Sequence, residues 1–103
     1  MKLLTQEIKR KLPKIYATEQ IPLPEKTIIC KFFNPCGIGT WYCIEGQQEE
    51  DDFIFFGLVD LHEKEFGYFS LRELEEINLA MGLKIERDLW FSPSKVSKFW
   101  NRA

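Results

Sequence analysis

The sequence is poor in the side chains that carry most small-site chemistry. It has one histidine, His62, and three cysteines, Cys30, Cys36 and Cys43. The cysteines are odd in number and spaced C-x5-C-x6-C, which fits neither a pair of zinc ligands nor a disulfide framework. Free, mostly buried thiols are the expectation. A cysteine-histidine dyad can be written from these residues, but no Asn or Asp stands at a recognisable spacing to orient the imidazole. The chain also lacks any apolar run near the ~20 residues that a membrane-spanning helix needs. Its N-terminus has no apolar segment followed by a cleavage site, so a cytoplasmic protein is expected. Phosphate-loop, calcium-loop and ribonucleoprotein patterns are missing as well: Gly37-Ile38-Gly39 has no third glycine, and no Lys/Arg-Gly-Phe string occurs. No cofactor or metal ligand set is implied, and a non-enzymatic role is expected.

What is present is the material of one core. With 103 residues, 45% of them hydrophobic and 15% aromatic, the chain should form a single domain over residues 1–103. A chain of that length buries roughly 60–70% of its unfolded surface. The net charge of −2 conceals a division: residues 1–44 carry seven Lys/Arg against three acids, residues 45–76 two against eleven, and residues 77–103 five against two. The middle is acidic and both ends are basic, a layout that favours surfaces of opposite sign.

The central signal is Asp51-Asp52 followed by Phe53-Ile54-Phe55-Phe56-Gly57-Leu58-Val59. A strand alternates faces every two residues, so Phe53, Phe55 and Val59 point one way and Ile54, Phe56 and Leu58 the other. Both faces must therefore be covered. The two aspartates also act as gatekeepers against pairing with other chains. Around this strand, residues 3–12 read as an amphipathic helix with Leu4, Ile8 and Leu12 inside, Thr5 as N-cap and Pro13 as terminator. Residues 27–33 and 40–45 read as a hairpin across Asn34-Pro35-Cys36-Gly37-Ile38-Gly39, with a turn over residues 46–52. Residues 66–69 form the next strand. Ser70-Leu71-Arg72-Glu73 is a capping box that starts a helix running to Met81 and stopped by Gly82. Residues 85–91 read as a fifth short strand, and Ser92-Pro93 starts a last helix to Trp100. The expected fold is α+β: an antiparallel meander of four to five strands packed with an N-terminal helix and one or two C-terminal helices.

Several strings also carry a resemblance. They are LLT at 3–5, LPKIYATE at 12–19, KFFNP at 31–35, TWY at 40–42, DDFIFFG at 51–57, GYFSLREL at 67–74 and IERDLWF at 85–91. Together they resemble a small bacterial family known only as a domain of unknown function, over about residues 3–91. Its members look like products of conjugative plasmids, integrative elements and phages. The resemblance implies a role in mobile-element biology and carries over no catalytic residue.

Two sets of candidate site residues follow. Glu49, Glu50, Asp51 and Asp52 at one end of the central strand, and His62, Glu63 and Glu65 at the other, are candidates for contact with a protein partner. Lys9, Arg10, Lys11 and Lys14 with Lys95, Lys98 and Arg102 are candidates for contact with nucleic acid, beside strand aromatics such as Tyr68. Glu45, Asp52, Asp60 and Glu63 lie near predicted strand ends, but no spacing brings two of them to a shared proton. Trp90 and Trp100 either anchor the last helix or face a partner, and packing is the favoured reading. By elimination the chain reads as a cytoplasmic binding or regulatory module, an accessory protein of a mobile element acting on another protein. The alternative is a nucleic-acid-binding accessory domain, with a small hydrolase third.

Overall fold

The computed structural model describes residues 1–100, and Arg102 lies outside them. Among the described residues seven strands form in chain order: β1 Thr27–Ile28, β2 Cys30–Phe33, β3 Thr40–Glu49, β4 Asp52–Asp60, β5 Lys64–Ser70, β6 Glu86–Arg87 and β7 Ser94–Lys95. Five make an antiparallel sheet in the order β5-β4-β3-β2-β6, while β1 and β7 pair as a separate two-stranded ribbon. The two α-helices are short, α1 Gln6–Lys11 and α2 Leu71–Glu75. No helix among the described residues is long and apolar enough to cross a membrane.

The expected meander is present, and β4 is covered on both faces. Phe53 and Phe55 belong to one cluster with Leu3, Leu4, Leu12, Phe32, Trp41, Phe69 and Leu74; Leu58 joins Ile28, Tyr42, Ile44 and Val96 in a second. On the first face Phe55 meets Phe32 edge-on at 5.5 Å between centroids and stacks on Phe69 at 5.3 Å. On the second, Tyr42 stacks on Phe99 at 4.7 Å and Phe66 meets Trp100 edge-on at 4.8 Å. Fully burying each such ring stabilises the fold by about 1.5–3 kcal/mol.

Four expectations are corrected. The turn assigned to residues 46–52 is mostly strand: β3 runs on to Glu49, because the backbone of β4 needs a partner along its full length. The run over residues 27–33 is two strands, with β1 turned away at Ile29 to pair with β7. The helix from Leu71 stops at Glu75 instead of Met81. Glu75 and Glu76 stand at its C-terminal end, where negative charge opposes the helix dipole. The following chain packs Ile77 and Leu79 in non-helical form, and Met81 and Gly82 both adopt positive φ (61° and 74°). The last helix is not formed either. Residues 94–98 make β7 and one tight turn, Val96–Lys98, which brings buried Val96 and then Phe99 and Trp100 onto the second face. Ser94, Val96 and Ser97 are modest helix formers, and packing overrides the Ser-Pro signal. Short helices and irregular chain, instead of long helices, therefore cover the sheet.

Candidate functional site

In β3, Cys43 pairs with Gly57 and Glu45 with Phe56, so Ile44 is an extra residue, a β-bulge. Strict alternation would aim Glu45 at the Phe53 and Phe55 side. The bulge turns it to the opposite side, beside Phe56. There Glu45 is only 3% exposed, and the loop after α1 closes over it. Its carboxylate accepts from the Tyr16 N–H (3.0 Å), the Thr18 N–H (3.0 Å) and the Thr18 hydroxyl. Lys26, 6% exposed, donates to the Thr18 carbonyl and to the Thr18 hydroxyl oxygen (2.9 Å). Thr18 thus links a buried anion to a buried cation. Tyr16 holds φ 72°, a left-handed backbone that a bulky side chain rarely adopts.

Over this network lies a hollow of ≈ 110 Å³ lined by Tyr16, Glu19, Lys26, Glu45, Phe56 and Tyr68. Glu45, Phe56 and Tyr68 form one row across β3, β4 and β5, since Glu45 pairs with Phe56 and Phe56 with Tyr68. The Tyr68 phenol titrates above its usual range, chiefly through the neighbouring Tyr16 side chain, with lesser contributions from burial and the Glu45 charge.

A second feature lies at the other edge of the sheet. Trp90 is 93% exposed, beside Leu89 at 62% and Met1 at 69%. The turn that carries them is ordered: the Asp88 carboxylate accepts from the Trp90 N–H (2.9 Å), and the Asp88 carbonyl from the Phe91 N–H (3.3 Å). Asp88 also sits 3.6 Å from the Lys31 ammonium. Arg87 ties the N-terminal chain to this edge by donating to the Lys2 and Leu3 carbonyls. Met1, Phe33, Leu89 and Trp90 border one shallow depression. Favoured packing holds for Trp100 and fails for Trp90, which faces solvent.

The two acidic turns do lie at opposite ends of β4, as the register Glu49 to Asp52 and Asp60 to Lys64 requires. They differ in what they do. Asp51 pairs with Arg72 at 2.8 Å, and Asp52 accepts from the Phe53 N–H (2.7 Å) and from the Arg72 N–H (3.1 Å) in the first turn of α2. Ser70 completes that cap by accepting from the Glu73 N–H (3.1 Å). Arg72 holds the Asp51 carboxyl below its usual range. For Asp52, desolvation pushes upward, but the backbone donors Phe53 and Arg72 outweigh it. A depressed folded-state value contributes stability above the unfolded value and loses it as pH falls. Melting temperature should therefore drop more steeply below about pH 4 in the native chain than in an Asp51→Asn, Asp52→Asn double variant. Parallel curves would show that neither aspartate contributes. Glu49 and Glu50 are exposed, and His62, Glu63 and Glu65 form no side-chain hydrogen bond or ion pair among the described residues.

The basic residues are divided. The Lys9 ammonium lies 5.7 Å from the Phe53 ring centre on the first face, and that of Lys98 5.8 Å from Phe99 on the second. Lys11 pairs with Glu7 (3.1 Å) and Lys95 with Glu25 (2.9 Å), while Arg10 and Lys14 are exposed. Cys30 and Cys43 are cross-strand partners, both buried and free; burial pushes the Cys43 thiol well up, the reverse of an activated nucleophile. Among the described residues no three His, Cys, Asp or Glu side chains group as a metal site.

The sequence reading missed Tyr16, Lys26 and the exposure of Leu89 and Trp90. A charged residue directly after the apolar run Trp41-Tyr42-Cys43-Ile44 was the available sign that Glu45 needs partners. In comparison with known proteins, the family model described as "Protein of unknown function (DUF2958)" matches residues 3–103. Neither a curated protein nor a solved structure matches the chain.

Proposed function

The chain belongs to the DUF2958 family of proteins of unknown function, and within it we propose a non-enzymatic module that binds another protein through the Trp90 edge. The single observation carrying this reading is the display of Trp90, almost bare, beside the exposed Leu89, on a turn that Asp88 holds in place. Aromatic side chains dominate the energetics of protein interfaces, and an ordered turn lowers the entropy lost on docking. An apolar patch rimmed by Glu86, Arg87 and Asp88 has the composition of an interface centre with a polar rim. Separation of the basic residues over two faces favours a protein partner over a phosphate backbone, which rewards clustered charge. The resemblance to mobile-element products supports a cytoplasmic accessory role there, on a host or element protein.

The test is affinity capture from nuclease-treated bacterial lysate with the native chain and with Trp90→Ala. Removing so exposed a side chain should change stability by no more than about 0.5 kcal/mol. A protein retained by the native chain and lost from an equally stable Trp90→Ala supports the reading. Equal retention by both, or no retained protein, overturns it.

A further inference from the structure

We propose that the hollow between Tyr16 and Tyr68 receives one basic side chain, arginine or lysine, presented by a partner protein. Its ≈ 110 Å³ is far below the ~300–1,000 Å³ of small-molecule sites and suits about one side chain. Three of its six lining residues are aromatic, Tyr16, Phe56 and Tyr68, and aromatic faces attract cations. The charged residues are two carboxylates, Glu19 and Glu45, against one ammonium. That ammonium, on Lys26, is turned into Thr18, whose carbonyl and hydroxyl oxygens it engages. Glu45 has three of about four acceptor positions filled, and Glu19 is exposed.

Access is provided by the row Glu45-Phe56-Tyr68, which ends on β5, the outer strand of the sheet. Tyr68, on that edge strand, and Tyr16 are both exposed and both line the hollow. The strained Tyr16 backbone is held by the hydrogen bond that its N–H donates to Glu45. This site is separate from the Trp90 edge and stands or falls without it.

The experiment is an amide chemical-shift titration with N-acetyl-arginine amide and N-acetyl-lysine amide. N-acetyl-citrulline amide serves as the uncharged control of arginine's shape. Saturable shifts at Thr18, Glu45, Phe56 and Tyr68, about tenfold weaker with citrulline, are expected. Tyr68→Ala, on an exposed position, should keep the fold and lose the saturation. Equal response to citrulline, or shifts that rise linearly and survive Tyr68→Ala, overturns the proposal. Neither outcome depends on whether Trp90→Ala loses its partner.

Discussion

Gly57→Ala should leave the chain largely unfolded. A Cβ at this position would lie 1.8 Å from the Tyr42 carbonyl oxygen and 2.9 Å from its carbon. Both atoms are backbone in the neighbouring strand, so no rotamer change relieves the overlap. β3 and β4 would have to separate in the middle of the sheet, between Phe55 and Leu58, both fully buried. We expect a loss above about 4 kcal/mol, at the extreme of single substitutions. The matched control is Gly67→Ala. Gly67 is the β5 partner of Gly57, and no atom lies within 4 Å of its added Cβ. It should fold normally, with a melting temperature equal to or above that of the native chain, because alanine has less backbone entropy to lose. Urea unfolding of the pair settles the matter: similar midpoints would refute the close approach of Tyr42 to Gly57.

The second large effect is expected at Glu45. Truncation to alanine leaves the Tyr16 N–H, the Thr18 N–H and the Thr18 hydroxyl without their acceptor, and removes the carboxylate that Thr18 links to the buried Lys26. Removing one partner from a buried charge network costs about 3–5 kcal/mol, because the remaining groups stay desolvated. In a domain of this size that is a fall of roughly 12–40 °C in melting temperature. Glu45→Gln keeps the volume and one acceptor oxygen but sets an amide N–H against a donor, so its loss should be intermediate. The loop over Glu45 would also open before the rest, and limited trypsin digestion should cut sooner at Lys14. If Glu45→Ala melts within a few degrees of the native chain and Lys14 stays protected, the network contributes little.

These two residues also show what could and could not be read from sequence. The strand containing Gly57 was legible because apolar residues on both of its faces leave one interpretation, and the meander followed from the polar turns around it. The close approach at Gly57 was not, since it depends on where the neighbouring strand's carbonyl sits. Glu45 was placed near a strand end because strand periodicity is local, whereas its burial depends on the bulge at Ile44 and on donors 27 to 29 residues away. The capping box at Ser70 was legible because both partners lie within four residues. The end of its helix was set instead by packing of Ile77 and Leu79. Trp90 and Trp100 look alike as letters; Trp100 meets Phe66 and Trp90 meets solvent, and only the tertiary structure separates them.

The two outer strands of the sheet are unequal, β5 with seven residues and β6 with two. A fibril grows by stacking sheets through both borders, each newcomer offering a fresh template. Here only one border is long enough to serve, so lateral pairing would end after a single addition. The asymmetry limits edge-to-edge pairing through this sheet to a finite complex.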